Sequence, residues 1–364
     1  MKAVAVLPAE RRFDVIDHPE PGIASPTEAK LRMLDVGICG TDKEIVAFQY
    51  GIPPPGSRYL IIGHESLGEV IEAGPQVKRV KPGDLAVPTV RRPCSRPECF
   101  ACQAGRQDFC YTGEFTERGI KQRHGFMSEF VVEDERYLNP VPPVLRDIAV
   151  LVEPLTIAEK AVTQLWQVQQ RLPWAGPGYR RRALVLGGGP VGLLGAMKLV
   201  LEDFETTVYS RTPAASDLEK IVTGFGASFV HAEDASVAEL AASIGNIDVV
   251  YEAVGASSLA FEVMRYLGTN GVFILTGVPG RKAPITVDTD VLMRDYVLKN
   301  QVIFGTVNAS ITSFTDAISD LDKFQERWPH SVRSLITQRF PIAQAAEPLS
   351  GKTGGIKNVI AVGE

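Results

Sequence analysis

The sequence contains no apolar run long enough to span a bilayer, which sets aside a helical membrane protein. It has little excess of either charge: Lys+Arg 38 stand against Asp+Glu 43, a formal net charge of −5. Nothing general therefore draws the chain to nucleic acid or to acidic membranes. Arg180-Arg181-Arg182 precedes an apolar run and reads as a solvated edge. Internal repeats and low-complexity tracts are absent, which argues against a solenoid or a disordered array. Cysteines number only five, an odd count, and four of them lie between positions 94 and 110. That distribution argues against a disulfide framework and suggests metal ligation in a reducing cytoplasm. The opening Met1–Val6 reads as a first strand, because Pro8 breaks it too soon for a signal peptide.

At 364 residues the chain is long enough for two cores. Its clearest unit is the stretch 183–211. An apolar run, Ala183–Leu186, leads into Gly187-Gly188-Gly189-Pro190-Val191-Gly192. Helical periodicity follows, with Val191, Leu194, Met197 and Leu201, and Thr206–Tyr209 closes the unit as a second strand. A G-x-G-x-x-G between a strand and a helix is a dinucleotide cradle. Gly187 makes the turn, Gly189 admits a pyrophosphate, and Gly192 lets helix and strand approach, with Pro190 and Val191 opening the helix. Free N–H groups at that helix end face the phosphates. Alone the motif is also compatible with an ordinary turn.

Strands recur at 248–253 and 272–276, the pattern of a doubly wound parallel sheet. Residues 1–150 are instead β-rich and broken by turns such as Lys81-Pro82-Gly83-Asp84. Leu155–Leu172 reads as a helix, Pro173–Arg182 as a linker, and Asn358–Val362 as a last strand.

Two groups of residues offer metal ligands. Cys39 in VGICGTD and His64 in IGHESLGEV are zinc-binding types, and Glu65 and Glu153 could complete their shell. Singly, Cys39 reads equally well as a small buried residue, and His64 as a hydrogen-bonded core histidine. Cys94, Cys99, Cys102 and Cys110 have the spacing C-x4-C-x2-C-x7-C, that of a structural zinc. Such a site would staple a lobe too poor in apolar residues to hold itself.

The wider pattern Gly63-His64-Glu65-x-x-Gly68, with Gly74 and Val77 beyond, resembles the signature of zinc-containing medium-chain alcohol dehydrogenases. Within that family the chain is most similar to the glucose (aldose) 1-dehydrogenase branch. That likeness is carried by ICGTDKEI at 38–45, RQDFCYTGEFTERG at 106–119, EPLTIAEK at 153–160 and GTVN at 305–308. The resemblance covers essentially the whole chain and implies an α/β protein with two parts. A chaperonin-10-like, β-rich catalytic domain would take 1–154 and 309–364, and a Rossmann dinucleotide domain 155–308. It implies two zinc ions per chain, with Cys39 and His64 as firm ligands and Glu65 and Glu153 as adjustable ones. Relatives usually space the first structural cysteine pair by two residues, whereas here it is four.

The implied reaction is NAD(P)-dependent oxidation of a sugar C1 hydroxyl, aldose to aldonolactone. A bound zinc lowers the pKa of that hydroxyl, and the resemblance gives Thr41 the task of passing its proton on. Many relatives continue the relay with a histidine five residues after the cysteine, where this chain has Glu44; Glu44, Glu65 or water could serve instead. Rival readings are a polyol or secondary-alcohol dehydrogenase and a non-catalytic NADPH-binding relative. The full metal set argues against the second. Small-molecule substrate and a dimer or tetramer are the expected partners.

The strand ending at Tyr209-Ser210-Arg211 carries no acidic residue to hold a ribose 2′-hydroxyl. Ser210 and Arg211 suit a 2′-phosphate, so NADP is expected in preference to NAD. Thr276 and Asn308 are expected near the nicotinamide. By resemblance, Glu117, Glu153 and Asn308 hold the sugar. Val90, Ile157 and Leu298 stand where some relatives place polar groups, which points to a deoxy or otherwise less polar sugar, or a smaller hydroxy compound, over free glucose.

Overall fold

The computed structural model describes residues 1–363 apart from 175, 177, 212–216, 281–283 and 352. Part of the expected linker, at 175 and 177, therefore lies outside the described residues. The chain divides into two compact units, Met1–Thr156 with Asn308–Gln325 and Leu335–Glu364, and Ile157–Val307 with Glu326–Ser334. The segment Glu326–Ser334 goes with the second unit although the residues on either side of it belong to the first. Trp328 packs against Phe225 there, with ring centroids 6.2 Å apart.

The first unit is β-rich. Its main sheet has seven strands. The central one, Glu28–Gly37, begins with strict alternation: Ala29, Leu31 and Met33 are buried while Arg32 is exposed. That period of two is what a sheet with one covered face requires. Glu65–Ala73 pairs antiparallel on one side of it and Lys357–Ala361 on the other. A strand from the end of the sequence thus lies beside one from its start. A smaller sheet joins Arg12–Asp17, Lys2–Leu7 and Leu60–Ile61.

The second unit is a parallel sheet. Its strands are β1 (Arg182–Leu186), β2 (Glu205–Ser210), β3 (Ser228–His231), β4 (Ile247–Glu252), β5 (Leu267–Leu275) and β6 (Val302–Gly305). They lie in the order β3-β2-β1-β4-β5-β6, the doubly wound arrangement that binds dinucleotides where the order reverses. Between them run α1 (Pro190–Leu201), α2 (Leu218–Gly224), α3 (Val237–Ile244), α4 (Ser257–Met264) and α5 (Thr289–Leu298). Val237, Leu240, Ala260, Val263 and Met264 of α3 and α4 share one core with Leu184, Leu186, Val250 and Phe273 of the sheet. The expected fold class, a β-rich domain with a doubly wound one, is the observed one.

Candidate active site and its two metal-ligand sets

Cys39 caps a short helix, Gly40–Val46, and the cap explains its position. Asp42, three residues on, accepts from the Cys39 N–H at 2.9 Å, closing a capping box. The other carboxylate oxygen accepts from Gly63 N–H at 3.2 Å and lies 3.6 Å from His64 Nδ1. Asp42 is fully buried, so one carboxylate fixes both ligand-bearing loops. Facing Nδ1, it leaves the other ring nitrogen of His64 for a metal, the usual way a ligand histidine is oriented. Gly63 has φ +88°, and a Cβ on it would meet Met127 and Val36 at 2.6 and 2.8 Å, so His64 can only be presented after a glycine.

Ligand atoms of Cys39, His64 and Glu65 lie within 4.8 Å of one another. That donor set, a thiolate, an imidazole and a carboxylate, suits zinc. Burial opposes a charge on His64, yet Asp42 and Cys39 outweigh it and lift the imidazole well above its ordinary range. A metal cation would displace that proton. Glu65 is not free: its carboxylate pairs with the buried Lys357 ammonium. Glu153, in the first turn of Val152–Gln169, lies outside the close set. Burial pushes its carboxyl up to about 7; His64 opposes the rise and Glu65 adds to it.

Thr41 is half-buried, and its hydroxyl has no hydrogen bond among the described residues, so it does not close on its own backbone. Glu44 is half-buried on the same helix. Buried Glu117 accepts from Arg91 Nε and from Asn308 Nδ2, each at 3.0 Å, so the structure joins two of the expected sugar-holding residues directly. Val90 is 3% exposed, as a core residue is, and Ile157 is half-buried. Leu298 ends α5 with 64% exposure.

The four cysteines Cys94, Cys99, Cys102 and Cys110 come together, with sulfurs all within 4.8 Å of one another. Cys99 and Cys110 are 3.9 Å apart. Four Zn–S bonds of ~2.3 Å make a tetrahedron with edges of about 3.8 Å. The wider first spacing therefore does not keep Cys94 from the cluster. Burial pushes the Cys102 thiol up to about 12, whereas Thr112, against burial, brings Cys110 down to about 6. The sulfurs themselves, with Ala101, form the lobe's core.

In the second unit, Gly187 takes φ +112°, and a Cβ on Gly192 would collide with the Gly187 carbonyl. Gly189 caps α1 and has open space where a Cβ would be, which leaves room for a phosphate. A cavity of about 730 Å³ spreads over the ends of β1 to β4. Gly187, Gly189, Ser210 and Arg211 line it; Pro190, Val191, Gly192 and Thr276 do not. The Thr276 hydroxyl donates instead to the Glu252 carbonyl at 2.7 Å. Arg211 is exposed and makes no ion pair among the described residues. The residues present fit a dinucleotide. Sequence reasoning passed over Asp42, Lys357 and the far wall of this cavity. The first was legible as the fourth residue of a capping box, C-G-T-D; the others have no local signal.

Two metal-ligand sets on a β-rich domain, in a chain that also carries a doubly wound dinucleotide domain, define the zinc-type alcohol dehydrogenases as a class. Residues 25–143 match the alcohol dehydrogenase GroES-like domain, and 146–362 match the glucose dehydrogenase C-terminus. The chain belongs to the glucose dehydrogenase branch of that family. It is 37% identical to glucose 1-dehydrogenase of Methanocella arvoryzae over 366 residues, covering all of both chains. Glucose 1-dehydrogenase of Thermoproteus tenax is also 37% identical, over 100% of this chain and 99% of its own. Among solved structures, Haloferax mediterranei glucose dehydrogenase in complex with NADP, zinc and gluconolactone superposes with a TM-score of 0.88. It has 31% identity and is covered in full, as is this chain.

Proposed function

We propose that this protein oxidises an aldose at C1 to the aldonolactone, with zinc and with NADP as the preferred hydride acceptor. The observation that carries the reading is the close set of Cys39, His64 and Glu65, on a chain similar throughout to a dehydrogenase seen with NADP, zinc and gluconolactone. Zinc held there supplies a Lewis acid that makes a hydroxyl acidic at neutral pH. Cys39 and His64 hold it, and Asp42 keeps the imidazole oriented. Thr41, whose oxygen has no hydrogen-bond partner among the described residues, would accept that hydroxyl's proton as it gives up its own. Glu44 lies three residues further on the same helix, hence on the same face, and receives the proton next. Glu65 is the poorer relay because Lys357 occupies its carboxylate. Glu117 and Asn308, already bonded to each other, fix the sugar's orientation. Ser210 and Arg211 bind the 2′-phosphate.

The test is NADP and NAD reduction over a panel of sugars, polyols and secondary alcohols, with the zinc content measured on the same sample. His64→Ala should abolish turnover and leave NADPH binding intact. Normal turnover without His64 removes zinc from the mechanism. The panel also decides the sugar: a wide preference for glucose would end the expectation of a less polar substrate.

The assembly we propose is a homo-oligomer. On α5, Met293 and Val297 are 67% and 70% exposed, and β6 forms an edge of the sheet. Sedimentation of the intact protein as a monomer would refute this. Among the described residues no helix is long and apolar enough to cross a membrane. The five unbridged thiols support a reducing, cytoplasmic setting.

A further inference from the structure

The dinucleotide cavity has a far wall that the phosphate-binding residues do not explain. Beyond Ser210 and Arg211 it is lined by Ala232, Val237 and Leu259, with the single carboxylate of Glu262. Ser258, Leu259 and Glu262 share one face of α4. Tyr209 also lines the cavity and donates to the Ala235 carbonyl at 2.9 Å. Burial, and behind it the negative charge of Glu262, raise the Tyr209 phenol above its ordinary value. The Glu262 carboxylate makes no hydrogen bond or ion pair among the described residues. This part of the cavity thus combines apolar walls and the Ser258 hydroxyl with one unpaired carboxylate, and among the described residues its lining holds no cation besides Arg211.

We propose that Glu262 selects the purine of the cofactor, accepting a hydrogen bond from the adenine amino group. The inference rests on the NADP reading. The glycine turn takes the pyrophosphate and Arg211 the ribose phosphate, so the base falls between the start of α3 and the face of α4. Adenine presents an N–H donor at its 6-position. Hypoxanthine presents a carbonyl oxygen there, and two acceptors facing each other repel. The carboxylate is exposed, so discrimination is modest, about tenfold in affinity.

The experiment compares binding of NADPH and reduced nicotinamide hypoxanthine dinucleotide phosphate to the zinc-loaded enzyme without sugar, by fluorescence and calorimetry. The wild type should bind the adenine form about tenfold more tightly. In E262Q the ratio should fall to about twofold or less, because an amide can donate to the hypoxanthine oxygen as well as accept from adenine. E262A should lose the ratio too. R211A should weaken both forms alike and keep it. Equal binding of the two forms by the wild type, or a ratio that survives E262Q and E262A, overturns the assignment. If neither form binds, the cofactor reading fails first and takes this one with it.

Discussion

Lys357 Nζ donates to Glu65 Oε2, and both groups are buried. The same ammonium donates to the Ile38 carbonyl at 3.1 Å. One lysine near the end of the chain therefore ties the carboxylate beside His64 to the residue before Cys39. Burial disfavours its charge, but Glu65 and Cys39 outweigh burial and hold the ammonium above its ordinary range.

Replacing Lys357 by Met should leave Glu65 as a buried, unpaired charge. Breaking such a pair costs about 3–5 kcal/mol. Urea unfolding should show a loss of that order, and K357M/E65Q should recover part of it. An unchanged midpoint in K357M would mean that the pair contributes nothing.

Asp42 should matter for metal affinity more than for cofactor binding. Losing a carboxylate that orients a ligand histidine typically costs about 10–100-fold in affinity. Competition with a chelator should show this for Asp42→Asn, with NADPH affinity unchanged. Full zinc retention would separate Asp42 from the site.

The cysteine lobe is expected to hold the second zinc. Cys99→Ser or Cys110→Ser should lower the melting temperature or solubility more than turnover per folded molecule. Wild type should carry two zinc ions per chain by elemental analysis. A count of one would show that the lobe folds without metal.

Arg211→Ala should weaken NADP far more than NAD. A charge-assisted contact contributes about 1.5–3 kcal/mol, or roughly ten- to a hundredfold in affinity. The check is the pair of dissociation constants for each variant; equal weakening of both would remove the phosphate contact.

Acid should destabilise the first unit through Glu133. Its carboxylate pairs with Arg92 and accepts from Arg118 Nη2 at 2.7 Å. Burial alone would raise its pKa, but Arg118 and Arg92 bring it from an ordinary 4.5 down to about 2. A folded value below the unfolded one means the contribution is complete above pH 4.5 and is lost as pH falls toward 2. Unfolding midpoints measured down that range should drop less steeply in Glu133→Gln, which starts from lower stability.

Much of the architecture was legible because its signals are local. The glycine turn, α1 and the flanking strands occupy one continuous stretch, and period-2 or helical spacing follows from backbone geometry. The four cysteines were equally plain, being close in sequence with few other uses. The roles of Val90 and Leu298 were not, since a residue's number does not say which way its side chain faces. One is core and the other solvent-exposed in the structure.

The two kinds of domain, the metal-binding residue types and the absence of an acid directly after β2 were fixed before any packing was considered. These depend on residue identity and short spacing. Packing was needed to show that Asp42 holds both ligand loops, that Lys357 occupies Glu65, and that Glu262 is unpaired among the described residues of the dinucleotide cavity. Asp42 and His64 are 22 positions apart, and the Lys357–Glu65 contact spans 292. Such contacts arise because strand pairing sets Glu65–Ala73 and Lys357–Ala361 against the two sides of Glu28–Gly37, and that pairing is a property of the packed sheet as a whole.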